Sequence, residues 1–387
     1  MVTIALPALD GTLSDFVLSP ASPYPTRHEA PAQRTVYAAA HVVADPLRLI
    51  TPWERPAVDW DATLAFRRHL WGLGFKIAEA MDTSQRGMGL DWSNASELIA
   101  RSLSEARATP GADLACGAGT DQLDLRAEHS LEDVIAAYEE QIAHVERHGG
   151  RIILMASRAL CRAARNADDY LRVYGHLIRQ TKEKVILHWL GEAFDPALAG
   201  YWGSRDFTPA METVLTLIRD NAAKIDGIKI SLLDAEKEVV MRRLLPAGVV
   251  MYTGDDFNYA ELMAGDAQGF SHGLLGIFDP IAPAAAAAFD RLAADDLAGY
   301  HAILDPTVAL SRRLFEAPTQ HYKCGVVFLA WLNGFQSHFR MVGGAESARG
   351  ILHYAELFRL ADRAHLFTDP ERAASRMKQL CALNGLA

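Results

Sequence analysis

Ile225-Asp226-Gly227-Ile228-Lys229-Ile230-Ser231 is a short apolar run with a lysine near its end. A run of this length with this composition reads as a buried strand. An ammonium is costly there, because burial favours the neutral amine. A neutral amine attacks a carbonyl carbon and forms a Schiff base, so Lys229 is a candidate nucleophile. The same residue also fits a lysine that reaches back to solvent or pairs with a carboxylate. The surrounding pattern has to decide between these.

Outward from Lys229, short apolar runs alternate with longer amphipathic stretches. The strand candidates are Val36–Val43, Phe75–Met81, Asp113–Gly117, Arg151–Ala156, Val185–Leu190, Ile225–Ile230, Gly248–Tyr252 and Gln268–His272. Helical patterns lie between them at Asp61–Leu73, Ser93–Ala108, Ser130–His148, Ala167–Thr181, Thr208–Ala223 and Tyr259–Ala264. Strands interleaved with helices pair in parallel through crossovers, and eight such units close most economically into a (β/α)8 TIM barrel of the α/β class. A doubly wound open sheet is the alternative, but no GxGxxG loop follows the first strand. Proline-rich pieces flank a turn at Asp10-Gly11, which suits a hairpin and an extended arm. After His272 only helical patterns continue: Pro283–Leu297, Tyr300–Leu314, Gly325–Phe335, Ser347–Ala364 and a last one from Pro370. The expected organisation is an arm over 1–34, a barrel over 35–282 and a helical region over 283–387.

Composition narrows the function classes. The chain has 387 residues, half of them hydrophobic, a net charge of −10 and a pI near 5.8. The acidic balance argues against nucleic acid as a partner. Cys116, Cys161, Cys324 and Cys381 show no CxxC spacing, so reduced thiols are expected rather than a zinc knuckle or disulfide scaffold. No basic-then-apolar leader opens the chain and no apolar stretch reaches membrane-spanning length, so the expected location is the cytoplasm.

A barrel does its chemistry at the C-terminal ends of its strands. Those ends offer His41, Glu79 with Asp82-Thr83-Ser84, Thr120-Asp121, Arg158, His188, Lys229, Asp255-Asp256 and His272. Asp255-Asp256 would equally cap a helix starting near Asn258, and Arg158 would equally pair with Asp168 or Asp169. Lys76 sits near the start of its strand and reads as a paired or snorkelling residue. Trp53, Trp71, Trp189 and Trp202 read as core or interface aromatics, with Trp189 turned away from the barrel axis because it follows His188.

These residues, in this order, resemble the dihydrodipicolinate synthase / N-acetylneuraminate lyase superfamily of class I aldolases, from about Thr51 to Gly334. Thr51-Pro52-Trp53 with Val58-Asp59 is similar to its opening after strand one. Asp226-Gly227-Ile228-Lys229, followed about two dozen residues later by Tyr252-Thr253-Gly254-Asp255-Asp256, is similar to its lysine strand and the sGdD strand after it. Gly269-Phe270-Ser271-His272-Gly273 is similar to strand eight, and Tyr322-Lys323-Cys324-Gly325 to the entry of a C-terminal helix. The resemblance implies a Schiff-base lyase, aldolase or dehydratase working through Lys229 on a small carbonyl substrate, assembled as a homodimer or homotetramer, with no cofactor and no metal.

The departures mark a divergent branch. Met81-Asp82-Thr83-Ser84-Gln85 stands where the family's threonine loop holds a carboxylate; Thr83 and Ser84 retain hydroxyls, but Asp82 would repel an anion. His188 stands in place of the proton-relaying tyrosine of strand five, and a histidine is able to move protons near neutrality. Glu192-Ala193 replaces the carboxylate-binding arginine. Asp82, Glu192, Asp255 and His272 are therefore the expected substrate contacts beside Thr83 and Ser84, suited to a keto-acid or keto-sugar rich in hydroxyls. Two other readings use the same residues: a metal-dependent sugar isomerase or epimerase, with Glu79, Asp82, His188, Glu192, Asp255 and His272 as ligands, and a non-catalytic sugar-acid-binding barrel.

Overall fold

The computed structural model describes residues 2–48, 51 and 53–386, so Pro52 of the Thr51-Pro52-Trp53 segment lies outside them. The chain divides into two units: Arg34–Ala40 with Lys76–Gly276, and Met1–Gln33 with His41–Phe75 and Ile277–Ala387.

The hairpin expected around Asp10-Gly11 is present, with β1 (Thr3–Pro7) antiparallel to β2 (Leu13–Val17). Gly11 takes φ 82° at its tip, a backbone conformation in which glycine carries no Cβ penalty. The first unit of the division holds the eight parallel strands. They are β3 (Val36–Ala39), β4 (Lys76–Glu79), β5 (Leu114–Ala118), β6 (Arg151–Leu154), β7 (Val185–Leu190), β8 (Ile225–Ser231), β9 (Val250–Thr253) and β10 (His272–Leu275). They close in the order β10-β3-β4-β5-β6-β7-β8-β9, a TIM barrel as the alternating pattern implies. Helices Trp92–Ala108, Leu131–Arg147 and Ala167–Gln180 start where Asp91, Ser130 and Asn166 accept backbone N–H bonds, satisfying donors the helix itself leaves open.

The barrel interior is packed, with Tyr37, Ala39, Ala78, Ala115, Ile153, Ile186, Tyr252 and Leu274 sharing one buried cluster. Gly227 explains part of the Asp226-Gly227-Ile228-Lys229 motif: a Cβ there would stand 2.7 Å from Cε2 of Tyr252 and 2.5 Å from the Val250 carbonyl. The glycine makes room for the tyrosine ring. Pairing of β7 with β8 shifts register at Asp226, a bulge that leaves this residue outside the ladder. Asp226 Oδ2 accepts from the Tyr252 hydroxyl at 2.7 Å. At the same N-terminal end of the strands, Asp113 accepts from Lys76 at 2.9 Å and Arg151 at 2.7 Å, and Arg151 also donates to the Tyr37 hydroxyl. Lys76 is thus a paired residue at the start of its strand, as its position implies.

Two strands differ most from expectation: β3 ends at Ala39 rather than Val43, and the eighth strand starts later. Gln268–His272 was the expected eighth strand, but the strand is His272–Leu275. The Asp266–Gly269 bridge makes a turn there, and Phe270 is held under the Arg34 guanidinium 3.5 Å from its ring centre. The helices Arg158–Ala163 and Ala235–Arg242 are absent from the sequence reading; both are too short to show a clear helical period.

In the other unit, helix Trp60–Gly72 starts at Asp59, whose Oδ1 accepts from Ala62 N at 3.0 Å. The C-terminal helices are Phe278–Ala293, Leu297–Leu314, Tyr322–Leu332, Ile351–Arg363 and Pro370–Leu383, close to the five expected. His41, expected at an active strand end, is fully buried in this unit and bonds Asp279 Oδ2 through Nδ1 at 2.7 Å. Trp53 is 75% exposed rather than a core aromatic, whereas Trp71, Trp189 and Trp202 are buried. Among the described residues no helix is long and apolar enough to cross a membrane.

Candidate active site

Lys229 and His188 are register partners on the parallel strands β8 and β7, so their side chains leave the sheet on the same side. Lys229 is 7% exposed, and its ammonium has no hydrogen bond or ion pair among the described residues. Burial holds it below the ordinary lysine range, while the carboxylates of Asp82 and Asp256 push in the opposite direction. Burial, reinforced by the Lys229 charge, holds His188 well below its ordinary value, so the imidazole is neutral. His188 Nε2 lies 3.3 Å from the Ser231 hydroxyl, two residues along the lysine strand. Its Nδ1 has no partner among the described residues. Gly254 completes the setting: a Cβ there would stand 2.6 Å from Cε of Lys229, so the glycine of Gly254-Asp255-Asp256 is what lets the lysine chain pass.

Beside this pair a cavity of about 360 Å³ opens where β4, β5, β6 and β7 end; its wall includes Asp82, Thr120, Arg126, Ser157, His188 and Asp195. Lys229 is not part of that wall, but Asp82, whose charge acts on it, and His188, on which its own charge acts, are. Thr120 and Ser157 share a 2.6 Å hydroxyl contact, and the Ser157 N–H donates to the Tyr201 hydroxyl at 3.0 Å. Arg86 is locked in place. It donates to both carboxylate oxygens of Asp121 and to the Gly117 carbonyl at 2.6 Å, with Gln141 as a further partner. Arg158 pairs with Asp195, not with Asp168 or Asp169, and lines the cavity. Arg126 lines it too; its backbone N–H donates to Asp124 Oδ1 at 3.0 Å, and its guanidinium has no partner among the described residues.

Of the strand-end candidates, the structure brings Asp82, Thr120, Asp121, Arg158 and His188 to the cavity wall and Asp256 into the field of Lys229; the other expected substrate contacts lie elsewhere. Thr83 and Ser84 are buried off the cavity wall, and the Ser84 hydroxyl donates to the Met81 carbonyl at 2.7 Å, because the loop winds into a 3-10 turn over Asp82–Ser84. Glu192 is exposed and outside the cavity, since the loop after β7 turns Asp195 and Leu198 inward instead. Asp255 is a turn-capping residue: Oδ1 accepts from Phe257 N at 2.9 Å and Asn258 N at 3.1 Å, and it is Asp256 that acts on Lys229. His272 begins β10, and its Nδ1 accepts from Thr35 N at 3.0 Å, at the end of the barrel opposite the cavity. Among the described residues, no three His, Cys, Asp or Glu side chains stand where they could hold a metal ion, so the six ligands of the isomerase reading do not converge. Arg86, Arg126, Ser157 and Asp195 were missed, and no motif in the sequence marked them. Asp256 was among the strand-end candidates, in the Gly-Asp-Asp sequence after a strand.

Fold and site together define a (β/α)8 barrel with a desolvated lysine inside its sixth strand. The chain belongs to the family described as "Protein of unknown function (DUF993)", whose model matches residues 4–386. None of the curated proteins matches the sequence. Solved structures match in fold. A putative dihydrodipicolinate synthetase from Pseudomonas aeruginosa superposes with TM-score 0.62 at 13% identity, over 84% of this chain and 100% of that one. YagE from Escherichia coli K12, a prophage protein of the dihydrodipicolinic acid synthase family in complex with pyruvate, gives 0.63 at 11%, covering 92% and 100%. The chloride-inhibited dihydrodipicolinate synthase from Acinetobacter baumannii, complexed with pyruvate, gives 0.61 at 14%, covering 87% and 99%.

Proposed function

We propose that this protein is a class I lyase in which Lys229 forms a Schiff base with a small carbonyl substrate. The observation that carries the reading is Lys229 itself: a buried amine without an ion-pair partner among the described residues, beside a neutral imidazole and a cavity. Its lowered pKa raises the fraction of neutral amine available for attack. The Nζ lone pair adds to the carbonyl carbon; the oxygen is protonated and leaves as water, giving an iminium. That cation accepts the electron pair of the breaking C–C bond, while the hydroxyl on the departing carbon gives up its proton and the fragment leaves as an aldehyde. The resulting enamine takes up a proton at carbon, and water hydrolyses the new iminium to free the ketone and Lys229. His188, neutral and with Nδ1 open, is the group suited to carry these protons, and the Ser231 hydroxyl 3.3 Å from Nε2 orients its ring. Asp82 and Asp256 stabilise the cationic iminium electrostatically.

The fold likeness to dihydrodipicolinate synthases supports this reading, and two of those structures are described as pyruvate complexes. The test is borohydride reduction in the presence of carbonyl compounds, followed by peptide mass mapping. A reduced adduct on the peptide containing Lys229 is expected, lost in Lys229→Ala. Turnover of a carbonyl substrate without any adduct at Lys229 would refute the mechanism.

A further inference from the structure

Two charged groups on the cavity wall bear on substrate class. One is Asp82, a cavity-lining carboxylate with no hydrogen-bond donor among the described residues. The turn that carries it offers no cradle for a second anion. The Ser84 N–H donates to the Met81 carbonyl at 3.1 Å, the Gln85 N–H to the Asp82 carbonyl at 2.9 Å, and the Ser84 hydroxyl to Met81 at 2.7 Å. A carboxylate beside the reacting carbonyl would meet repulsion from Asp82 there, and the donors of Ser84 and Gln85 are already engaged. A hydroxyl would find an acceptor. The segment after β5 brings Asp121, Asp124 and Arg126 to the wall. Of the three arginines on the wall, Arg86 is bound to Asp121 and Arg158 to Asp195, which leaves the Arg126 guanidinium without a side-chain partner among the described residues. A guanidinium with open donors on a cavity wall is suited to an oxyanion.

We infer that the substrate is a hydroxylated ketone whose carbonyl is flanked by a neutral hydroxymethyl group facing Asp82, and whose far end carries an oxyanion bound by Arg126. This deepens the Schiff-base reading and rests on it: the carbonyl carbon meets Lys229, and the acid that repels a 2-oxo acid accepts a hydrogen bond from the hydroxymethyl group. A cavity of about 360 Å³ has room for a chain of several hydroxylated carbons.

The experiment is borohydride trapping of the full-length protein with four carbonyls at equal concentration: pyruvate, dihydroxyacetone, dihydroxyacetone phosphate and 5-ketogluconate. The expected order at Lys229 is an anion-ended hydroxyketone about tenfold faster than dihydroxyacetone, with pyruvate slowest. Comparing dihydroxyacetone phosphate with 5-ketogluconate tells whether the oxyanion is a phosphate or a carboxylate. Arg126→Ala is expected to close the gap between the anion-ended compounds and dihydroxyacetone, and Asp82→Asn to raise pyruvate trapping relative to dihydroxyacetone about tenfold. Pyruvate trapped at Lys229 as fast as the hydroxyketones overturns the inference and leaves the Schiff-base reading standing. An unchanged gap in Arg126→Ala overturns the role of that residue. No adduct from any of the four overturns the inference, whereas the Schiff-base reading falls to turnover without an adduct at Lys229.

Discussion

At Gly254 a single added carbon would stand 2.6 Å from Cε of Lys229 and 2.3 Å from Oγ of Ser231. Gly254→Ala is therefore expected to displace the lysine chain and slow borohydride trapping at least about tenfold, while circular dichroism stays unchanged. The charge state of Lys229 yields a second expectation. Its pKa is lowered, so the neutral amine appears at lower pH than for an ordinary lysine. The trapping rate should rise with pH and level off below the ordinary lysine range; a rise continuing through that range would contradict a desolvated amine. Lys229 was legible in the sequence because a cation inside Ile228–Ile230 is costly in any fold that buries the strand. Its carboxylate partner was less legible. Which of Asp255 and Asp256 acts on the lysine depends on the turn through Asn258, where the backbone N–H groups of Phe257 and Asn258 claim Asp255.

Helix Ala235–Arg242 carries Glu238, which is buried, hydrogen-bonded to the Ser271 hydroxyl at 2.7 Å, and left with Oε2 unpaired. Burial pushes its carboxyl up to about 8 from the usual 4.5. The folded state thus keeps a proton that the unfolded chain gives up. Glu238 contributes stability below pH 4.5, and that contribution is lost as pH rises toward 8. Glu238→Gln is expected to leave stability at pH 4 nearly unchanged and to gain about 2–4 kcal/mol over wild type by pH 8 in urea unfolding. A constant difference across that range would refute the titration. The eighth strand marks where element-scale reading stops. Gly269-Phe270-Ser271-His272 looks like a strand by composition, but Arg34 captures Phe270 and the ladder starts only at His272. Local pattern carries no information about a cation supplied from far along the chain.

At the scale of the whole barrel, stability and chemistry lie at opposite ends of the strands. Lys76, Asp113, Arg151, Tyr37, Tyr252 and Asp226 close the N-terminal end, and Lys229 with the cavity occupies the other. Tyr252→Phe removes the hydroxyl donated to Asp226 and is expected to cost about 1–2 kcal/mol in urea unfolding. Trapping at Lys229 in the same variant should match wild type, because the lost bond lies at the other end of the barrel; a parallel loss of trapping would contradict that separation. The eight-unit alternation made this architecture legible, since parallel pairing through crossovers leaves few ways to close a sheet. Which loop residues line the cavity was not legible, because turns after β4 and β7 decide whether Asp82 or Thr83, and Asp195 or Glu192, points inward. The most direct test of the lysine's role is a crystal structure of the protein after borohydride reduction with a trapped hydroxyketone. Electron density running unbroken from Nζ of Lys229 to the ligand carbon, with His188 beside it, is the predicted result. An unmodified Lys229 with the ligand bound elsewhere in the barrel, or attached to Lys76, would contradict it.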